Sequence, residues 1–354
     1  MAEGERNIEG KDSLASMAET TSKQDTEKAT VDRMPLISTK QGLPDTISPN
    51  NTPQGFDALH RADDLLAAYV KHTPEQAMPT TIQSIDKWLK GGLRRTRIYT
   101  IAGRPGEGKS SLSLSIARRM ALAHKIHVVY LSLEMGKEEL TERLLAQSLL
   151  IEPSELQELK KKGELSVKLA DLHKQFKEAS LHIEDNRGGG IEELESLFEE
   201  LGESDIKPHL LVIDYLQLVQ MPFGVSRSDA INSYMADLKN FAKSKRVAIL
   251  LCCQINRQGN EKPSLIHLKG AGGIEESSDV VFICSRPNLD ATKVSEEIGQ
   301  DCDYEIWIAK HRQGALYKIN LIYRPPCFEF LEPTSYGEPK HPSLETRVVD
   351  DAPF

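Results

Sequence analysis

One stretch of eight residues, GRPGEGKS at 103–110, constrains this chain more than any other. It carries Gly, four free positions, then Gly-Lys-Ser, the P-loop pattern. An apolar run, RIYTIAG at 97–103, leads into it, and an amphipathic run, SSLSLSIARRMALA, leads out. A strand that turns sharply into a helix is the setting this motif needs. Gly103, Gly106 and Gly108 let backbone N–H groups turn toward a polyphosphate at a helix N-terminus. Arg104, Pro105 and Glu107 fill the free positions and Ser111 follows the motif, so 103–111 is the candidate nucleotide-binding segment. Lys109 is expected to reach the β- and γ-phosphates and Ser110 to ligate Mg²⁺. The expected ligands are therefore a nucleoside triphosphate and Mg²⁺.

Around this motif the chain alternates. Strands are expected at 97–102, 127–133, 181–184, 210–214, 247–253, 279–284, 304–309 and 317–323. Helices are expected at 110–124, 137–150, 153–177, 191–201 and 229–245. Strands separated by helices make an α/β fold with a mostly parallel central sheet and helices on both faces. The last strands have short connections and form an antiparallel extension.

Four strand ends carry further candidates, where open α/β sheets place their ligands. HLLVID at 209–214 is a buried strand ending in Asp214, an acid placed to hold Mg²⁺. VVYLSLEM at 128–135 brings Glu134 to a strand end beside the P-loop strand or its neighbour. A carboxylate there can orient and deprotonate a water, and a solvated strand-end glutamate would look the same. VAILLCCQINR at 247–257 places Gln254 after an apolar strand, either as a γ-phosphate contact or as a polar loop cap. IWIAKHRQG at 306–314 puts Lys310 and Arg312 on one side of a strand end, with His311 on the other. Two such cations suit a γ-phosphate, and a plain surface pair has the same pattern.

Composition excludes some classes. No run approaches ~20 apolar residues, so no membrane span is expected. The polar N-terminus MAEGERNIEGKDS lacks a signal-peptide core. The five cysteines form no CxxC pair, so buried free thiols in a cytoplasmic protein are expected rather than zinc or disulfides. Net charge is −9, spread evenly: residues 1–54 hold nine acidic against six basic residues, and 332–354 hold five against two. Any nucleic-acid contact must then come from a local groove or lumen. Residues 1–52 lack the apolar content to order themselves and are expected to be a disordered acidic segment. Residues 53–71 carry Phe56, Leu59, Leu66 and Val70 at helical spacing, so 53–78 is read as a linker helix and connection. The main domain is expected at 79–331 and a disordered Pro-rich tail at 332–354.

Taken in order, the motifs resemble a family. They are a GGL turn at 91–93, the GRP-GxGK loop, SLEM followed by a helix bearing ERLLA, and IDYLQL. QxNR, GxGGIExxxD at 270–279 and AKxRxG at 309–314 complete the set. Over residues 80–331 the chain resembles the C-terminal RecA-like ATPase domain of DnaB-type hexameric replicative helicases. The resemblance implies a RecA-like P-loop ATPase core, ATP hydrolysis and 5′→3′ movement on single-stranded DNA with duplex unwinding. It implies Glu134 as catalytic glutamate, Asp214 as the Walker B acid and Gln254 as γ-phosphate sensor. It also implies Lys310 and Arg312 as cations acting on the neighbouring chain's ATP in a homo-hexamer. Channel loops at 221–228 and 262–273 are the implied DNA contacts, with Lys269, Gly270 and Gly272 foremost and Arg227 beside them. A helicase loader or primase is an implied partner. The family's N-terminal helical collar has no counterpart in residues 1–52, and Gly270 stands where an acid is common. An ATP-gated DNA-binding or assembly factor, and a RecA- or KaiC-like ATPase, stay open as other readings.

Overall fold

The computed structural model describes residues 76–220, 224–255, 265, 268, 271–287 and 300–333. The expected N-terminal segment 1–52, nearly all of the linker and the tail beyond Pro333 lie outside them. In chain order the elements are α1 (Gln83–Trp88), β1 (Ile98–Gly103), α2 (Lys109–His124), β2 (Val128–Ser132), α3 (Lys137–Leu149), α4 (Pro153–Lys162), α5 (Leu165–Glu178), β3 (Leu181–Glu184), α6 (Ile191–Glu203), β4 (Leu210–Asp214), α7 (Arg227–Ser244), β5 (Ala248–Gln254), α8 (Ala271–Ser277), β6 (Val280–Ser285), β7 (Cys302–His311), β8 (Tyr317–Arg324) and β9 (Glu329–Leu331).

The nine strands make one sheet in the order β3-β2-β4-β5-β1-β6-β7-β8-β9. The six strands from β3 to β6 run parallel. β7, β8 and β9 add on antiparallel. Strands β1, β2 and β4 are buried at every residue, as continuous apolar runs covered on both faces must be. Alternate side chains feed two cores. Tyr99, Ile101, Tyr130, Val212 and Leu250 join Leu112, Ile116 and Met120 of α2 on one face. Ile98, Val129, Leu131, Ile213 and Leu251 join Leu197 and Phe198 of α6 and Leu238 and Phe241 of α7 on the other. Each such side chain contributes roughly 1.5–3 kcal/mol on leaving water. The helices therefore lie on both faces, as expected.

Four local expectations are corrected. The expected helix over 153–177 is two helices, because Gly163 turns left-handed (φ +73°) and closes α4. α7 begins at Arg227 rather than 229, because the Ser226 hydroxyl accepts from the Asp229 N–H at 3.1 Å. The expected loop 262–273 gives way to α8 at Ala271. β2 borders β4 and β3, so β4 and β5 stand between it and the P-loop strand β1.

The fold also draws in residues from beyond the expected boundaries. Met78 exchanges backbone hydrogen bonds with Leu93 and packs in the first core. Glu332, expected in the tail, accepts from the Ser84 N–H at 2.8 Å and the Ser84 hydroxyl at 2.5 Å, tying the chain to α1. β9 is not among the expected strands. Its Glu329 is buried against α2, where Arg118, Arg119 (2.5 Å) and the Ser115 hydroxyl (2.8 Å) all donate to it.

Candidate active site

The P-loop leaves β1 at Gly103, whose missing Cβ is replaced by close neighbours: a Cβ there would lie 3.2 Å from Cys284 O and 3.3 Å from Lys109 Cγ. Gly106 (φ +79°) and Gly108 (φ +80°) take left-handed backbone that other residues rarely adopt. α2 then starts at Lys109 with no side chain capping it. Its first-turn amides have no partner inside the helix, which leaves an anion-ready end. Lys109 Nζ donates to Arg104 O at 3.0 Å across the loop.

Arg286, just past β6, braces the loop. Its amide donates to Glu107 at 2.7 Å and its guanidinium to Gly106 O at 2.7 Å. Burial pushes the Glu107 carboxyl above its usual range, against the pull of Arg286. Tyr304 and Phe330 lie beneath, 3.6 Å from where a Gly108 Cβ would sit. Ser111 is buried, and its carbonyl accepts from Gln147 Nε2 at 2.9 Å. Arg286 was missed in the sequence because an arginine after a strand carries no motif of its own.

Asp214 ends β4, fully buried. Tyr130 donates to its Oδ2 at 2.8 Å. Oδ1 has no hydrogen-bond partner among the described residues. A buried, unpartnered carboxylate oxygen beside a P-loop helix fits a divalent cation, and hard oxygen ligands suit Mg²⁺. Ser132 pairs with Asp214 across β2 and β4, and the Leu133 N–H donates to Asp214 O at 2.7 Å. Glu134 follows, exposed, on a turn pinned by Ser132 Oγ, which bonds Met135 O (2.6 Å) and its N–H (3.1 Å). Burial, then the charges of Glu134 and Asp214, raise the Tyr215 phenol nearby.

Gln254 ends β5, half-buried. Gln217, in the one-turn helix Leu216–Leu218, holds its peptide on both sides: Oε1 accepts from the Gln254 N–H and Nε2 donates to its carbonyl, each at 2.9 Å. Arg227 donates to Gln217 O at 2.7 Å, so the exposed start of α7 is linked to the end of β5. Gln217 lay within the IDYLQL motif, but nothing in the pattern separated it from a surface residue.

The sheet thus gathers the P-loop, Asp214, Glu134 and Gln254 at the C-terminal ends of β1, β4, β2 and β5. Lys310 and Arg312 lie elsewhere. β7 runs antiparallel to β6, with Lys310 opposite Val281 and the Arg312 N–H on Asp279 O at 2.9 Å. Asp279 in turn bonds Ile98 at the start of β1. Rising about 3.3 Å per residue, β1 puts roughly 17 Å between its two ends. Both cations point the same way, onto the carbonyls of Glu275 and Glu276 at the end of α8. Burial and Arg312 lower the Lys310 amine. His311 turns away, under Gly314, whose Cβ would fall 2.2 Å from its ring.

Of the expected DNA-facing residues, Gly272 is exposed in α8 and faces open space. A Cβ at its neighbour Gly273 would lie 2.3 Å from Asn232 Oδ1, so only glycine lets α8 meet α7. Lys269 and Gly270 lie outside the described residues. The described cysteines are free, and no group of metal-binding His, Cys, Asp and Glu occurs among the described residues. No described helix is long and apolar enough to cross a membrane.

Comparison with known proteins matches the family model of the DnaB-like helicase C-terminal domain over residues 77–332. The replicative DNA helicase DnaB of Leifsonia xyli subsp. xyli (strain CTCB07) is 27% identical over 267 residues, covering 74% of this chain and 57% of that protein. A probable replicative DNA helicase of Trieres chinensis is 30% identical over 252 residues, covering 69% and 55%. The chain therefore spans little more than half the length of these relatives. Among solved structures, one ATPase domain aligns with a TM-score of 0.65 at 24% identity, over 76% of this chain and 97% of that one. A DnaB-like replicative helicase, described with its primase interactions, aligns at 0.66 and 24% identity, over 77% and 68%. These two likenesses establish a shared fold, and the family match reaches from one edge of the sheet to the other. The chain belongs to the DnaB-like helicase C-terminal domain family.

Proposed function

We propose that the chain is the ATP-hydrolysing motor of a replicative DNA helicase. It works as a ring of six identical chains that moves 5′→3′ on single-stranded DNA and unwinds duplex. The reading rests on one observation: the nucleotide-facing groups and the two cations occupy opposite ends of one sheet. Roughly 17 Å of strand separates them within a chain, so a pocket that uses both needs a second chain.

Lys109 and the first-turn amides of α2 hold the polyphosphate. Ser110 and Asp214 hold Mg²⁺, which when bound screens phosphate charge and supplies a Lewis acid. Glu134 orients a water and accepts its proton. Gln254 meets the terminal phosphate, and its tie through Gln217 to Arg227 carries the state of that phosphate toward the DNA side. Lys310 and Arg312 reach from the adjacent chain and neutralise charge that develops in the transition state. Arg227, Lys269, Gly270 and Gly272 line the DNA path, where backbone amides grip phosphates without a strongly basic surface. A primase or a loader is the expected partner of the ring.

The test is complementation. Lys109→Ala and Arg312→Ala chains are each expected to be inert in DNA-stimulated ATP hydrolysis and to regain turnover when co-assembled. No recovery in the mixture would end the shared-pocket reading. A forked-duplex assay decides between a motor and an ATP-gated binding factor, since the factor hydrolyses ATP and leaves forks intact.

A further inference from the structure

Tyr130 is the one hydroxyl-bearing aromatic in the strand VVYLS, and it is fully buried. A hydroxyl inside an apolar strand is costly unless it is hydrogen-bonded, and phenylalanine would fill the same volume without that cost. Its partner is specific. Tyr130 pairs with Val212 on β4, so Asp214, two residues further on, is its diagonal neighbour on the same face. The two side chains meet at 2.8 Å, Oη to Oδ2.

The direction of this bond follows from chemistry. A carboxylate only accepts, so the phenol donates and its single proton is committed. Tyr130 Oη can then only accept from its other neighbour, Ser113 Oγ, at 2.9 Å. The Ser113 hydroxyl also has a single proton, so it gives that proton either to Tyr130 Oη or to Ser110 O, 3.1 Å away in the first turn of α2. With that proton on Tyr130, Ser113, Tyr130 and Asp214 form a hydrogen-bonded bridge from the P-loop helix to the end of β4. The bridge ends on one carboxylate oxygen and leaves the other, Oδ1, unpartnered among the described residues.

We propose that Tyr130 is the positioning residue for Asp214: by occupying Oδ2 and leaning on Ser113, it fixes the carboxylate so that Oδ1 is the oxygen left for the Mg²⁺ that Asp214 and Ser110 would hold. The proposal rests on the reading of Asp214 and Ser110 as the metal-holding pair. Tyr130 does not touch substrate or metal. It sets the rotation of the carboxylate and its separation from Ser110, the kind of outer-shell support whose removal weakens metal binding about 10–100-fold.

The experiment measures binding of MANT-AMP-PNP to the full chain in Mg²⁺ and in EDTA. In Tyr130→Phe, affinity in EDTA stays within about twofold of the parent, while the gain conferred by Mg²⁺ shrinks about tenfold or more. Ser113→Ala moves the same way by less, and it carries the test if Tyr130→Phe does not fold. Asp214→Asn abolishes the gain. A Tyr130→Phe chain that keeps the full Mg²⁺ gain while Asp214→Asn loses it overturns the role of Tyr130 alone. Equal weakening in Mg²⁺ and in EDTA also overturns it, since that is what a merely structural hydroxyl would produce. An Asp214→Asn chain that keeps the gain overturns the metal-holding pair, and the proposal falls with it.

Discussion

The parallel and antiparallel halves of the sheet bury their residues in different ways, and their functional groups differ accordingly. β1, β2 and β4 are buried along their whole length, sandwiched between α2 on one face and α6 and α7 on the other. Such strands have no free face, so polar chemistry is confined to their ends, and there Asp214, Glu134, Gln254 and the P-loop gather. β7 and β8 alternate instead. Tyr304, Ile306, Ile308, Ile319 and Leu321 point into the core, while Trp307 and Tyr317 stay exposed. A half-covered strand can carry polar and aromatic groups anywhere along its length, and its reversed direction brings Lys310 and Arg312 to the opposite edge. Where fully covered strands concentrate chemistry at one edge, half-covered ones are free to offer groups to a neighbour.

The largest effect expected from this division is on turnover. Arg312→Ala removes a cation from the antiparallel half and should lower DNA-stimulated ATP hydrolysis about 10³-fold or more. Equilibrium nucleotide binding by the separated chain should not change. A simultaneous loss of that binding would mean the two edges are not independent.

The next effect is on stability, where the halves are joined. Burial alone would raise the Glu329 carboxyl, but Arg118 and Arg119 hold it below its usual range. Glu329→Gln strands two arginines against α2 and should cost about 3–5 kcal/mol in urea unfolding. A cost near ~1 kcal/mol, at the level of an exposed ion pair, would show that β9 does not fasten the extension. Because the folded value is depressed, this contribution is full above the ordinary glutamate range and is lost as pH falls below that range and through the depressed folded value.

A second pH dependence belongs to the parallel edge. His182 and His209 stand at the starts of β3 and β4, close to His127. Burial, then neighbouring positive charge, lowers both imidazoles below their ordinary value of 6.5. The fold therefore prefers them neutral. Their contribution is present above that value and declines as pH drops below it. Urea midpoints measured at neutral and at mildly acidic pH should differ in the parent, and the difference should narrow in a His182→Gln/His209→Gln chain. An unchanged difference would place the acid sensitivity elsewhere.

The smallest effect is on the outer face of the extension. Trp88 and Tyr317 stack at 3.6 Å, joining α1 to β8. Tyr317→Ala should cost about 0.5–1.5 kcal/mol beyond lost burial, with turnover unchanged. A loss of turnover would make this face part of the working site.

Local pattern carried much of this protein. The P-loop, the apolar strands ending in Asp214 and Gln254, and the paired cations around His311 were legible because each depends on a few neighbouring residues. Buried strands read as apolar runs, and a left-handed loop demands glycine. Four things were decided only in the folded state. The place of β2, set apart from β1 by β4 and β5, follows from which strands pair, and a strand's own sequence does not specify its neighbour. The brace of Arg286 on Gly106 and Glu107, and the clasp of Arg119 on Glu329, each join residues from opposite ends of the domain. Tyr130 likewise reads in sequence as one more apolar strand residue, and it meets Asp214 only because β2 and β4 lie side by side. Periodicity and motif report what a residue does to its own segment, whereas a buried charge or hydroxyl is decided by the partner that folding brings to it.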